Sequence, residues 1–349
     1  MRQAKIAING FGRIGRSFFR RAFALPSEAS AKEGDVPFLD IVAVNDLTDT
    51  KTLAYLLKYD SVYGRYKRPV SATDGMLRIA EKEVKVLAEK EPIKLPWKDL
   101  GIDIVVESTG FFTSADKAKA HFDAGAKRVV ITAPAGSDVT TALIGVNDDR
   151  FKNPPPLTCN ASCTTNSVAP VMQILLENFG IVKASMTTIH GYTATQKLVD
   201  GADAKDPRRG RAAAVNIVPS TTGAADAVVW AIPELKGKFD AVSIRVPTIT
   251  GSLSVNTALV GRSVSKDEVN DVFKKAAKEP RWSKVIAVTE DPIVSTDIIG
   301  EPYGAIIDLT LTKVIDGDLV KVFSWYDNEE GYTATLVEHV RRIVQSLDK

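Results

Sequence analysis

The chain has 349 residues, 44% of them hydrophobic and 25% charged, so it exceeds the usual single-domain range and two globular domains are expected. Forty-five basic against 43 acidic side chains leave a formal charge of +2, which gives no reason to expect a nucleic-acid or membrane-surface partner. The two cysteines, Cys159 and Cys163, exclude a disulfide framework, and a free thiol suits a reducing compartment.

Residues 5–9, Lys-Ile-Ala-Ile-Asn, form a short apolar run that reads as a strand. Its early start leaves no room for a signal peptide, and no later run is long enough to span a bilayer, so the expected location is cytoplasmic. The strand leads into Gly10, Gly12 and Gly15, spaced G-x-G-x-x-G, and then into helical periodicity over 14–24. Gly10 permits a tight turn, Gly12 lets backbone approach a pyrophosphate, and Gly15 lets helix pack on strand. The amides of Arg13 and Ile14 would then face the phosphates. Residues 26–37 are a polar insert expected to be an exposed loop. A second buried strand, 39–45, ends at Asp46, whose carboxylate can bind ribose hydroxyls and repel a 2′-phosphate. Strands at 103–107 and 128–132 flank a helix at 115–125. This alternation predicts a parallel, doubly wound sheet.

Residues 156–160 predict another strand and 167–178 another helix, with Asn160-Ala161-Ser162-Cys163-Thr164-Thr165-Asn166 between them. A thiol at a strand-to-helix junction meets unpaired amides and the positive end of a helix dipole, which favour the thiolate. Ser162, Thr164 and Thr165 add hydroxyls suited to an anionic ligand. Beyond this point the strands are longer and β-branched, at 183–189, 241–247, 253–260, 305–314 and 319–325. They predict a mostly antiparallel sheet, with a helix over 266–278 and a final helix over 332–347 after the turn at 327–331.

The chain has three histidines. His121 and His339 fall in predicted helices among ordinary surface residues and are expected to be solvated. His190 ends a strand before Gly191-Tyr192-Thr193, and by elimination it is the partner for Cys163. A near-neutral imidazole can take the thiol proton and later handle protons on a substrate oxygen. Arg208, Arg209 and Arg211 in the following loop, Arg245 at a strand end, and Thr221-Thr222-Gly223 before a helix make a phosphorylated substrate the better reading.

Taken together, NGFGRIGR (9–16), ASCTTN (161–166), HGYTATQ (190–196), TTGAA (221–225), RVPT (245–248) and SWYDNEEGY (324–332) resemble the glyceraldehyde-3-phosphate dehydrogenases, in order and over nearly the whole chain. The resemblance implies a Rossmann-type NAD-binding domain over 1–161, an α+β catalytic domain over 162–326, and a C-terminal helix, 327–349, packing back on the first domain. It implies that Cys163 attacks the aldehyde of glyceraldehyde 3-phosphate, that His190 is the base, and that hydride passes to NAD. Inorganic phosphate would then release 1,3-bisphosphoglycerate from a thioester. By the same resemblance Arg13, Ile14, Asp46, Lys90, Thr132 and Asn328 hold the cofactor. Ser162, Thr164, Thr193, Arg208, Thr222, Gly223 and Arg245 hold the two phosphate groups, and 190–212 is a loop of a homotetramer. No metal centre is implied. Four positions depart from the family's common pattern: Gly191, Ser167, Ala202 and Lys90. Ala202 weakens the expected exclusion of NADP, and Lys90 keeps a charge without the planar guanidinium fork. Two alternatives stay open: an erythrose-4-phosphate dehydrogenase, whose acyl-enzyme water hydrolyses, and an NAD-binding interaction protein without catalysis.

Overall fold

A computed structural model describes residues 3–23 and 38–347. The insert at 26–37 lies outside the described residues. The chain divides into two compact units, one of residues 1–142, 148–161 and 336–349, the other of 143–147 and 162–335.

The first unit is built on nine strands: β1 (Gln3–Asn9), β2 (Phe38–Asn45), β3 (Val70–Thr73), β4 (Met76–Ile79), β5 (Lys82–Leu87), β6 (Ile104–Glu107), β7 (Arg128–Ile131), β8 (Thr140–Thr141) and β9 (Leu157–Cys159). Its helices are α1 (Arg13–Ala22), α2 (Thr50–Lys58), α3 (Trp97–Leu100) and α4 (Ala115–Asp123). The sheet order is β3-β4-β5-β2-β1-β6-β7-β9-β8, parallel throughout except for the β3–β4 and β4–β5 pairs. The central strands are apolar because both sheet faces are covered: Ile104, Val105, Val106, Val129, Val130 and Ile131 are fully buried. Successive crossovers run from β1 to β2 on one side and to β6 on the other. The strand order therefore reverses at β1, and ligands of doubly wound sheets bind beyond the strand ends at such a point.

The second unit opens with α5 (Cys163–Phe179) and contains β10 (Ile181–Gly191), β11 (Val218–Ser220), α6 (Ala224–Ala231), β12 (Phe239–Val246), β13 (Ser252–Val260), α7 (Lys266–Ala276), β14 (Ile286–Thr289), β15 (Ala305–Ile315) and β16 (Leu319–Tyr326). The last helix, α8 (Glu330–Ser346), begins in this unit and ends in the first. The sheet order is β11-β12-β10-β13-β16-β15-β14. The β10–β12 and β14–β15 pairs are parallel and the others antiparallel. Strict alternation along β13 and β16 marks a sheet with one covered face. Among the described residues no helix is long and apolar enough to cross a membrane.

Candidate active site

The glycine-rich turn follows β1 as the spacing requires. Gly10 has φ +91°, and a Cβ there would lie 2.6 Å from the Thr109 amide nitrogen. A Cβ on Gly15 would lie 2.2 Å from the Gly10 carbonyl oxygen, so only glycine lets α1 approach the turn. A Cβ on Gly12 would meet nothing within 4 Å, so that side of the turn is open to an approaching group. The first amides of α1, at Arg13 and Ile14, have no acceptor within their own helix, a geometry suited to an anion. The Arg13 guanidinium is turned elsewhere, to Asp60 at 2.9 Å. Asp46 accepts from the Phe11 amide at 2.8 Å and the Thr48 amide at 3.0 Å, binding the turn to the end of β2. Two carboxylate oxygens offer about four acceptor directions, so room for ribose hydroxyls remains. Lys90 is exposed, one residue beyond Glu89, whose amide and carbonyl pair with the Asn45 side chain. Thr132 is half-buried just past β7, its amide donating to Glu107. These groups fit a dinucleotide.

Beneath this turn lies a polar network that sequence reasoning missed. The buried Glu107 carboxylate accepts from Asn9 Nδ2 (2.6 Å), the Thr109 amide (2.8 Å), the Thr109 hydroxyl and His121 Nε2 (2.9 Å). Trp97 Nε1 donates to His121 Nδ1 at 3.0 Å. An indole nitrogen only donates, so His121 carries its proton on Nε2. His339 is equally buried, within 2.9 Å of the Thr158 hydroxyl and 3.3 Å of Asn160 Oδ1. Burial pushes its imidazole down to about 3. The expectation of solvated helix-surface histidines is thus wrong for both: each sits on its helix's inward stripe, Ala118/His121 on α4 and Leu336/His339/Val340 on α8.

In the second unit, Ser162 caps α5 by accepting from the Thr165 amide at 3.1 Å, and Cys163 is the first helical residue. Ala161 just before them has φ +52°, a left-handed conformation strained for alanine. Strand register then assembles a transverse row. Arg245 on β12 and Ser252 on β13 both pair with His190 on β10, and Ser252 pairs with Tyr326 on β16. Cys163 Sγ lies 3.4 Å from His190 Nε2. Tyr326, fully buried, bonds the hydroxyls of Thr164 (3.1 Å) and Thr188 (2.7 Å), and burial pushes its phenol up to about 12. It therefore stays protonated at the back of the site.

The charge states differ from those expected. Loss of water around the sulfur pushes the Cys163 thiol up; the Arg245 guanidinium, the Thr164 hydroxyl and the backbone amides of Cys163 and Thr164 pull it down without prevailing. His190 is driven down to about 3, first by burial and then by Arg245. At neutral pH the imidazole is an uncharged base, and the nearest positive charge for a thiolate is Arg245.

Thr193 is half-buried, its hydroxyl 3.1 Å from that of Thr195. The Thr222 hydroxyl accepts from the Ala224 amide, and Gly223 is exposed at the start of α6. Asn328 Oδ1 accepts from the Gly251 amide at 2.9 Å. Arg208 is exposed and its guanidinium lies on Asp206, with Nη2 to Oδ2 at 3.0 Å. Its neighbour Arg209 donates to Thr195 at 2.9 Å; burial is what chiefly lowers the Arg245 guanidinium, and the charge of Arg209 adds to that.

A glycine-rich turn on a doubly wound sheet, with a thiol–imidazole pair in a second α/β unit, is an arrangement suited to an NAD-dependent oxidoreductase. Family models match both parts: the glyceraldehyde 3-phosphate dehydrogenase NAD binding domain over residues 4–115 and the C-terminal domain over 162–328. Glyceraldehyde-3-phosphate dehydrogenase of Thermotoga maritima is 52% identical over 342 residues, 98% of this chain and 99% of that protein. Enzymes of the same name from Clostridium acetobutylicum (96% of each chain) and Mycobacterium bovis (98% of this chain, 99% of that one) are each 49% identical. The chain belongs to the glyceraldehyde-3-phosphate dehydrogenase family, and its cofactor is NAD.

Proposed function

We propose that this chain oxidises glyceraldehyde 3-phosphate to 1,3-bisphosphoglycerate in glycolysis, with inorganic phosphate as the acyl acceptor. The observation that carries this reading is the 3.4 Å approach of Cys163 Sγ to a neutral, buried His190. When bound, NAD supplies the hydride acceptor. Gly10, Gly12, Gly15, Arg13, Ile14, Asp46, Lys90, Thr132 and Asn328 are the residues we assign to it. Cys163 Sγ bonds to the aldehyde carbon as the C=O π bond opens, and the former carbonyl oxygen takes the proton the thiol gives up. His190 Nε2 removes that proton as the carbon is oxidised to a thioester, and phosphate oxygen then displaces the sulfur. The charges of Arg209 and Arg245 repel each other, and a bound anion would relieve that repulsion. With Ser162, Thr164, Thr193, Thr222 and Gly223 they would hold the substrate phosphate and the attacking one, Arg209 taking the role expected of Arg208.

The cofactor function is assigned to residues 1–161 with the end of α8, and the catalytic function to 162–326. Exposed Leu198, Val199, Val215 and Ile217 form an apolar stretch suited to a second copy of the chain, in keeping with a homotetramer. An unpaired thiol at the centre of the chemistry fits a cytoplasmic setting. The test is NAD reduction with glyceraldehyde 3-phosphate, with phosphate present and absent. Phosphate-dependent turnover, lost in Cys163→Ser, is expected. Turnover on erythrose 4-phosphate that ignores phosphate would instead identify the hydrolytic relative, and no turnover with either aldehyde would leave only a binding protein.

A further inference from the structure

His190 has two neighbours at one atom that exclude each other. Nδ1 lies 2.6 Å from the Gly191 carbonyl oxygen and 2.7 Å from Arg245 Nη1. A neutral imidazole has one N–H and one lone pair. With the proton on Nδ1, the ring donates to Gly191 but confronts the N–H groups of Arg245. With the lone pair on Nδ1, it accepts from Arg245 but faces a carbonyl oxygen. That oxygen then needs the other contact present, Arg245 Nη1 at 3.1 Å. The two arrangements differ at the far side of the ring, where Nε2 faces the sulfur. Among the described residues, the other charged or titratable groups acting on this row are Cys163, Tyr326, edge-on at 5.9 Å between ring centres, and Arg209 through its charge on Arg245.

We propose that Arg245 sets the tautomer of His190, and that a ligand's phosphate resets it. While the guanidinium lies on Nδ1, the proton sits on Nε2 and faces the Cys163 sulfur, where it stabilises the thiolate whenever the thiol ionises. When a phosphate draws Arg245 toward itself and Arg209, Nδ1–H turns to the Gly191 carbonyl. Nε2 then presents the lone pair needed to remove the hydroxyl proton of the adduct. Nε2 gives one proton to water and Nδ1 takes one, so the ring stays neutral and nothing is oxidised or reduced. This makes Arg245 a positioning residue for the base in addition to a phosphate holder. The inference rests on the reading of Cys163 and His190 given under Proposed function.

The chain's small histidine count makes the tautomer observable. His121 is fixed by its Trp97 donor and His339 by Thr158 and Asn160, so a change confined to one of three rings reports His190. In the full-length protein labelled with 15N-histidine, the expected spectrum without phosphate has Nδ1 of His190 unprotonated. Saturating inorganic phosphate moves the lone pair to Nε2. Arg245→Leu shows that second form with or without phosphate, while Arg245→Lys, with one donor head, retains a partial response. Iodoacetamide labelling of Cys163 at fixed pH slows about tenfold on adding phosphate to the unaltered protein, from loss of one charge-assisted hydrogen bond, and is insensitive to phosphate in Arg245→Leu. One His190 tautomer in all these samples overturns the proposal. Phosphate-dependent NAD reduction on the same samples separates the two readings: turnover without a tautomer change defeats only the switch, and a tautomer change without turnover defeats only the assigned reaction.

Discussion

Replacing His339 with glutamine should flatten the acid limb of the stability curve. In the folded chain this imidazole is held down to about 3 because it is buried against Thr158, Asn160 and the edge of Phe151. The unfolded chain returns it to 6.5. Between those two values the unfolded state binds a proton that the folded state refuses, so stability falls as pH drops through the window and is unaffected above it. At pH 5 the unfolded imidazole is almost fully charged, and the penalty from this one group is about 2 kcal/mol relative to pH 8. His190 carries a penalty of the same sign, and leaving it intact isolates the contribution of His339. Urea unfolding at pH 8 and pH 5 measures it. His339→Gln should lose about 1–2 kcal/mol at pH 8, where a hydrogen bond is imperfectly replaced. It should then lose about 2 kcal/mol less than the parent protein on going to pH 5. An equal loss in both proteins would mean that the imidazole gains its proton in the folded state.

Gly15→Ala should cost about 3 kcal/mol and weaken NAD binding, because its methyl group collides with the Gly10 carbonyl; calorimetric NAD titration and urea unfolding read the two effects. Ala161→Gly should stabilise by about 0.5–1 kcal/mol, the relief of a left-handed alanine offset by glycine's chain entropy, measured by denaturant midpoint. Glu107→Gln presents an amide N–H to donors that now meet a carboxylate. A loss of about 1–3 kcal/mol in stability is expected, with a severalfold rise in the NAD dissociation constant as the Thr109 side of the turn loosens.

Much of the first unit could be read from the sequence because its signals are local. A buried parallel strand is a short apolar run, and the turn after β1 is written in three glycines: Gly10 and Gly15 have no room for a methyl group, and Gly12 keeps its side of the turn open. The β3–β5 excursion was missed. β3 and β4 are four residues long, and β5 carries Lys82, Glu83 and Lys85, so neither apolar length nor clean alternation marks them. The buried histidines were misread because polarity was weighed residue by residue. The helical period that placed His121 below Ala118 was present in the sequence, and Glu107 ended an otherwise apolar strand as its partner.

In the second unit the closeness of Cys163 and His190 was legible and their electrostatics were not. A helix N-terminus and a strand-end histidine place Cys163 and His190 correctly, but whether sulfur is held as thiol or thiolate depends on desolvation and on Arg245, fifty-five residues beyond the histidine. The same limit separates Arg208 from Arg209. Both stand in one short helical turn, Pro207–Gly210, capped by Asp206. That cap accepts from the Arg208 amide and also captures its guanidinium, so the next residue is the one that reaches Thr195. Register matters in the same way across the sheet. Side chains alternate between faces, so a one-residue slip of β12 against β10 would carry the guanidinium of Arg245 to the opposite face from His190. The pairings His190–Arg245, His190–Ser252 and Ser252–Tyr326 are therefore a chemical requirement as much as a structural one. They keep a guanidinium at one end of the row, a phenol at the other, and an imidazole between them within reach of the sulfur.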